Sequence, residues 1–304
     1  MKSIDKDALI HERRRTIRIR RSALLKTNLD DIDRPGIKIA EIRDEWRQSF
    51  ALVYKEYLEQ GYIKQAHPSQ LSYTIYNFLP STCVYIFKSY LNVISTLTQI
   101  FDSPVFGLPM DVLYHEELNA LRGQGRIVTE LSALATPKEA RWCNLMVYLS
   151  KTMFEYSRAT NVNDICIMVN PKHVRFYKAI FLFEDFGEEK FYEPVGAPAV
   201  ALRINYDSIE NKLNQAYGDL EFETNLYAFF CKVNSTMEEI EGDNICPTKR
   251  KPMDYEDFLY FLNIRKEIFS QLNALQITSL RYHYPNINTQ IFNTQTTNSR
   301  ISTG

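Results

Sequence analysis

The chain has 304 residues, of which 45% are hydrophobic and 24% charged, and its formal net charge is −1. This ordinary composition excludes a fully disordered or collagen-like chain, and its length allows roughly three quarters of the unfolded surface to be buried. No apolar run reaches the roughly 18 residues of a membrane-spanning helix, and no apolar core follows Met1 as in a signal peptide. We therefore expect a cytoplasmic protein.

The five cysteines and five histidines are scattered, without a CxxC pair or an HExxH motif. Neither a disulfide framework nor a metal site follows from such spacing, and we expect reduced cysteines and no metal. Residues 1–36 hold 10 Lys/Arg against 6 Asp/Glu, and the remaining residues 26 against 31. Such a basic arm is most often a loosely ordered, solvated segment, although a peripheral membrane contact stays open. Nucleic-acid binding is disfavoured because the arm has no interleaved aromatic residues and the rest of the chain is acidic.

The predicted elements begin after this arm. Alternation predicts a strand over residues 37–42, and apolar spacing predicts a helix over 44–60, followed by a loop with a short helix over 62–80. Two β-rich runs, 82–88 and 93–101, predict a hairpin. A helix over 110–122 and a strand over 127–135 come next.

Thr136, Pro137 and Glu139 form a capping-box pattern that predicts the start of a long helix. The apolar run Asp164–Val169 predicts a strand covered on both faces, and Asn170 with Pro171 caps a helix to about residue 180. Strands are predicted over 181–192 and 198–206, then helices over 208–285, one of them continuous over 255–275. The fold class is thus α/β (α+β), with a mixed, mostly antiparallel central sheet flanked by helices.

The strand over 127–135 carries a carboxylate and a hydroxyl. Strict alternation places Val128, Glu130, Ser132 and Leu134 on one face and Thr129, Leu131 and Ala133 on the other. Glutamate is depleted in central strands, and a buried carboxyl gains the raised pKa that suits a general base. An edge-strand glutamate facing water, or a structural ion pair, is the alternative.

A second candidate site lies on the helix after Asn170. Its spacing puts His173 and Tyr177 on one helical face, and the helix also carries Lys172, Arg175 and Lys178. A tyrosine hydroxyl near the end of the preceding strand can protonate a leaving thiolate. Packing of the ring on the sheet among solvated lysines is an equally good reading of the same pattern.

Four segments together resemble the bacterial N-acyl amino acid synthases, which are related to the acyl-homoserine-lactone autoinducer synthases and share the GNAT-like N-acyltransferase fold. The segments, in family order across residues 37–206, are 40–62, 130–132, 170–177 and 196–203. The helices over 208–285 are similar to the C-terminal extension of longer members. The resemblance implies an acyltransferase domain over 37–206 and a helical extension over 207–285. Charge and composition add the basic arm over 1–36 and an Asn/Thr/Gln-rich tail over 286–304 that we expect to be disordered.

The resemblance implies transfer of a fatty acyl group from an acyl carrier protein thioester to the amine of an amino acid. By position, Glu130 would be the catalytic carboxylate that accepts the amine proton, Ser132 would line the same face, and Tyr177 would protonate the leaving thiolate. Backbone amides just past Glu130 would polarise the thioester carbonyl. No bound cofactor is implied, since the acyl-phosphopantetheine of the carrier protein is a substrate.

The turn after the 127–135 strand bears on the donor. Acetyl-CoA enzymes of this fold bind pyrophosphate with a glycine-rich turn at a helix start, whereas this turn has no glycine, Pro137 lacks an N–H, and Glu139 repels phosphate. CoA is therefore disfavoured. An acidic carrier protein would instead meet a cluster of cations. These expected donor-binding residues are Lys138, Arg141, Lys172, His173, Arg175 and Lys178.

The acceptor stays open. In the autoinducer synthases an arginine follows the segment matching 130–132, and Ala133 stands there in this chain, which argues against a homoserine-lactone product. The alternative function is a catalytically inactive acyltransferase-fold module that binds an acyl carrier or a lipid for regulation.

Overall fold

The computed structural model describes residues 32–143, 145–220, 225–232 and 252–286. Its centre is one seven-stranded sheet, in which β4 and β5 are parallel and all other neighbours antiparallel. The strand order is β1-β2-β3-β4-β5-β7-β6. The strands are β1 (Pro35–Ile39), β2 (Cys83–Ser89), β3 (Asn92–Phe101), β4 (Val128–Ala135), β5 (Asp164–Val169), β6 (Glu184–Tyr192) and β7 (Ala197–Asn205).

Helices flank the sheet, as the sequence predicts, so the α/β fold class is confirmed. They are α1 (Arg43–Glu59), α2 (Asp111–Arg122), α3 (Leu145–Ala159), α4 (Pro171–Phe181), α5 (Tyr206–Tyr217), α6 (Tyr255–Ile264) and α7 (Ala274–His283). Short 3-10 helices span Ile75–Phe78, Lys138–Cys143 and Lys266–Phe269. Nearly all of the basic arm and the tail from residue 287 lie outside the described residues, and the domain boundaries stay predictions.

Four predicted elements are wrong in extent. The strand expected over 37–42 begins earlier, at Pro35, and ends at Ile39. The helix expected from Thr136 begins as the short Lys138–Cys143 helix, and the α-helix starts only at Leu145; the Thr136 hydroxyl lies 2.6 Å from that of Ser95. The strand expected from residue 181 begins at Glu184, because α4 continues through Phe181 and ends at Leu182 with a left-handed φ of 57°.

The helix expected over 255–275 is interrupted. It ends at Ile264, and α7 starts again at Ala274, where Asn273 accepts a hydrogen bond from the Gln276 amide at 2.9 Å. An asparagine in this position satisfies a backbone N–H that would otherwise be unpaired at a helix start. The apolar pattern continues across the interruption because Phe269 is itself buried.

The two faces of the sheet are covered differently. One continuous apolar cluster fills the face under α3 and α4. On the other face, one cluster joins α1 to the C-terminal helices, a second lies under α2, and a small third one joins α1 to the end of β4. Phe258 and Phe261 of α6 pack against Phe78, and the Tyr284 hydroxyl donates to the Phe78 carbonyl at 2.9 Å. In the described part of the chain, no helix is long and apolar enough to cross a membrane.

Candidate active site

A gap opens in the sheet between its two parallel strands. β4 pairs with β5 only from Val128, opposite Asp164, to Leu131, opposite Ile167. Beyond that point β4 continues to Ala135 along β3, while β5 continues along β7. The two strands therefore stop pairing before their carboxyl ends, and this gap divides the sheet into two halves.

A β-bulge in β4 accompanies this separation. The register with β3 shifts between Thr96 and Thr98, and Ala133 adopts a φ of 50°. The bulge overturns the predicted alternation beyond Ser132: Ala133 packs near Leu52, on the same side of the sheet as α1, and Leu134 packs into the opposite cluster under α3. An extra residue in one strand reverses the facing of every later side chain, and such bulges are frequent beside active sites.

Glu130 lies at the base of the gap, on the face covered by α2. Only 2% of its surface is exposed, and its Oε2 atom accepts a hydrogen bond from the Met110 amide at 2.8 Å. No other hydrogen bond reaches this carboxyl from the residues that the structure describes. Burial raises the pKa of Glu130 to about 8, opposed by the Met110 amide and reinforced by the negative charge of Asp111. Such a carboxyl is poised to take up a proton near neutral pH.

Ser132 lies on the same strand face, two residues further along, and pairs with Thr98 as Glu130 pairs with Ile100. Its side chain is partly exposed at the widening part of the gap. The structure thus brings Glu130 and Ser132 to one side of the opening, as the sequence predicts for this pair.

Tyr177 lies on α4, which covers the opposite face of β5. Its ring packs 6.2 Å from that of Phe181 and 5.8 Å from that of Phe183. Burial raises the pKa of Tyr177 to about 12, so the phenol stays neutral and can donate a proton. Glu130 and Tyr177 therefore lie on opposite faces of the sheet.

The sequence analysis assigned no role to several other tyrosines beside the gap. Burial raises the pKa of Tyr57 to about 12, and the phenols of Tyr177 and Tyr192 act in the same direction. A backbone hydrogen bond with Ala133 opposes the shift, which places this phenol at the bulge. The ring of Tyr62 lies 5.7 Å from that of Tyr57.

Two further phenols lie on the Glu130 side. The pKa of Tyr76 is raised to about 12 by burial and then by the charge of Glu130, and the pKa of Tyr192 is raised for the same two reasons. Tyr76 also donates to the Phe106 carbonyl at 3.3 Å. The chain contains 19 tyrosines, so their number alone could not single these out.

The predicted donor-binding cations divide into two groups. Lys172, His173 and Arg175 are exposed on the first turns of α4, where the Asn170 side chain accepts a hydrogen bond from the Lys172 amide at 3.2 Å. Lys138 lies beyond the end of β4, 3.4 Å from Glu59, with 65% of its side chain exposed. Because the carboxyl ends of β4 and β5 share one sheet edge, both groups flank the mouth of the gap.

Lys178 is engaged elsewhere. Its Nζ atom donates to Asp185 Oδ2 at 2.5 Å, beside a groove lined by α4, β6 and α5. The side chain of Arg141 lies outside the described residues. No three His, Cys, Asp or Glu side chains lie close enough to hold a metal ion within the described ranges.

A seven-stranded sheet split between parallel strands, with a buried carboxyl on one face and a neutral phenol on the other, is the arrangement that the sequence leads us to expect of an acyltransferase. The family model described as N-acyl amino acid synthase FeeM matches residues 48–205, just over half of the chain. The chain belongs to this family, as the resemblance of its segments predicts.

Several solved structures are similar to this chain. The structure of FeeM, an N-acyl amino acid synthase from uncultured soil microbes, matches with 25% identity and a TM-score of 0.51, over 58% of this chain and 94% of that one. The CoA-dependent acyl-homoserine lactone synthase BjaI matches with 15% identity and a TM-score of 0.45, over 64% and 100% of the two chains. The AHL synthase LasI matches with 17% identity and a TM-score of 0.46, over 60% of this chain and 95% of that one. A comparison with curated protein sequences found no match.

Proposed function

We propose that this protein is an N-acyltransferase that moves a fatty acyl group from an acyl carrier protein thioester to the amine of an amino acid. The observation that carries the proposal is Glu130, a buried carboxyl with a pKa raised to about 8 at the base of the sheet gap. Family membership supplies the reaction class, and the Glu130 environment supplies its base.

In this reaction the amine nitrogen attacks the thioester carbonyl carbon, and a C–N bond forms as the C–S bond breaks. Glu130 accepts the proton that the amine loses, through a water molecule where the distance requires one. Tyr177 donates its phenolic proton to the departing thiolate and regains one from solvent. The carbonyl oxygen carries negative charge in the transition state, and the backbone N–H groups around the Ala133 bulge are suited to stabilise it.

The donor is proposed from the turn after β4. It has no glycine, and Pro137 has no N–H to offer a phosphate. The turn leads into the short 3-10 helix Lys138–Cys143, and the α-helix α3 begins only at Leu145. The exposed cations Lys172 and Arg175 suit an acidic carrier protein. Because BjaI is a CoA-dependent synthase, carrier and CoA donors must be compared directly.

Charge reversal tests carrier docking. We expect Lys172→Glu with Arg175→Glu to lower kcat/KM for an acyl carrier donor about tenfold or more, because the encounter is electrostatic, and to leave a short synthetic acyl thioester unaffected. Lys178→Glu is the matched control, since its ammonium already pairs with Asp185, and it should change carrier use much less. Equal losses with both donors would contradict docking on α4.

The reaction itself is tested in a bacterial host. We expect lipid extracts from cells expressing the protein to contain N-acylated amino acids by mass spectrometry, which would give chain length and acceptor together. Extracts from the Glu130→Gln protein, expressed at the same level, should lack them. If purified protein also transfers no acyl group from acyl carrier or acyl-CoA to any amino acid, the proposed function is wrong.

A further inference from the structure

An ion-pair cluster fixes the loop that closes over Glu130. Arg122, in the last turn of α2, contacts two carboxylates through both edges of its guanidinium group. Its Nε and Nη2 atoms donate to Asp102 at 2.7 and 2.8 Å, and its Nη1 and Nη2 atoms donate to Asp111, both at 2.6 Å. Paired contacts of this kind restrict orientation as well as distance.

The two carboxylates lie at the two ends of one loop. Asp102 directly follows β3, two residues after Ile100, the partner of Glu130 in the sheet. Asp111 is the first residue of α2 and accepts a hydrogen bond from the Leu108 amide at 2.7 Å. Arg122 therefore ties the start of the loop to its end.

The loop is tightly fitted to this cluster. Gly107 has a φ of 62°, and a Cβ atom at that position would lie 2.5 Å from Asp111 Oδ2. Met110 follows three residues later, and its backbone N–H donates to Glu130 at 2.8 Å, which is the hydrogen bond described above. The position of that amide depends on a loop held at both ends by one arginine.

We propose that Arg122 is a positioning residue for the acyl transfer, which holds the Met110 amide against Glu130 and neutralises Asp111 beside it. The inference rests on the proposed function only for the role of Glu130 as base; the coupling between Arg122 and Glu130 is a property of the fold. Arg122 does not touch the substrates, because it acts through the loop.

The direction of the effect follows from the groups that face Glu130. Among these groups, Asp111 on α2 carries a charge. Burial alone would raise the pKa of Asp111, but its hydrogen bonds, above all with Arg122, together outweigh this effect and lower it. Tyr76 on the short helix, Cys166 on β5 and Tyr192 on β6 have a raised pKa and stay neutral near pH 8. Loss of Arg122 would therefore loosen the Met110 amide and leave the negative charge of Asp111 uncompensated. Both changes favour the protonated form of Glu130.

Arg122→Met is the test, with the pH dependence of kcat/KM as the readout. We expect the acid limb of the profile to move up by about one pH unit, with a loss of about tenfold in kcat/KM at pH 7. Arg122→Lys keeps the charge without the paired contacts and should shift the limb less. Arg126→Met, which breaks an ion pair with Asp164 that has no link to Met110, is the matched control and should leave the limb in place.

A lower rate with an unmoved limb would overturn the proposal, because a merely structural arginine predicts that result. Should Arg122→Met fail to fold, Arg122→Lys and Asp102→Asn carry the test. A second readout does not need activity: the effect of Glu130→Gln on unfolding free energy is measured against pH in the wild-type and Arg122→Lys backgrounds. If this pH dependence moves to higher pH in the Arg122→Lys background while no acyl transfer is found, the coupling between Arg122 and Glu130 stands and the proposed function fails.

Discussion

Two buried polar side chains on the two faces of the sheet behave in opposite ways. Gln99 on β3 is fully buried under α3, and its amide donates to Thr129 at 3.1 Å and to Ser157 at 2.9 Å. Its carbonyl oxygen accepts from the Tyr85 hydroxyl at 2.7 Å. Every side-chain group of Gln99 thus has a partner, as expected of a polar residue that belongs to a structural core.

Glu130, on the neighbouring strand and the opposite face, is as deeply buried but accepts only the Met110 amide among the described residues. A carboxylate can accept about four hydrogen bonds, so this group remains far from satisfied. The contrast separates two functions of one sheet. The hydrogen bonds of Gln99 stabilise the fold, whereas the surroundings of Glu130 leave a buried carboxyl with a raised pKa, which our proposal uses as the base.

The largest expected effect is on turnover. Glu130→Gln keeps the shape of the side chain and removes the base, and we expect kcat to fall about a hundredfold or more. The melting temperature near pH 7 should rise rather than fall, because folding forces the wild-type carboxyl to regain a proton that the unfolded chain has lost, and glutamine avoids this cost. Steady-state acyl transfer and calorimetry on the same preparations measure both. Turnover within a few-fold of wild type would show that Glu130 is not the base.

The next effect is on pH dependence. With a pKa of about 8, Glu130 becomes a base only as the pH rises, so kcat/KM should increase about tenfold per pH unit below pH 8 and then level off. Stability should change in the opposite direction. The unfolded carboxyl ionises near 4.5 while the folded one stays protonated, so wild type loses stability relative to Glu130→Gln as the pH rises from about 4.5 to about 8. Parallel stability curves would contradict the raised pKa.

A substitution on the opposite face of the sheet should lower stability without lowering turnover. Gln99→Leu removes hydrogen-bond partners from Thr129 and Ser157, and we expect a loss of about 1–3 kcal/mol in unfolding free energy. The kcat of the folded protein should stay within about twofold of wild type, since Gln99 does not face the gap. Denaturant titration and an assay of the soluble fraction test this. A large loss of kcat without a loss of stability would break the comparison between the faces.

The sequence predicted the two faces unequally well, for physical reasons. The strand Asp164–Val169 was predicted with its observed ends because a short apolar run between polar residues is buried as a whole. The start of α4 was predicted because the Asn170 side chain caps the helix locally. Glu130 was found because a carboxylate is unusual in mid-strand. The Met110 amide could not be found, since it belongs to a loop twenty residues away in sequence and reaches Glu130 only in the folded chain.

The bulge was missed because alanine carries no signature of a left-handed backbone, and this leads to the smallest predicted effect. At Ala133, with a φ of 50°, glycine would relieve about 1 kcal/mol of strain and add a similar entropy to the unfolded chain. We therefore expect Ala133→Gly to change unfolding free energy by less than about 0.5 kcal/mol.

Ala201→Gly is the matched control, because Ala201 is fully buried in the regular strand β7 and has no strain to relieve. Glycine there loses buried methyl contacts and adds unfolded-state entropy, so we expect a loss of about 1 kcal/mol or more. Denaturant titration of both proteins gives the difference. If Ala133→Gly destabilises the protein as much as Ala201→Gly does, the backbone at the bulge is unstrained. Side chains must then hold β4 apart from β5, and the tyrosines around Tyr57 would be the first to substitute in a further test.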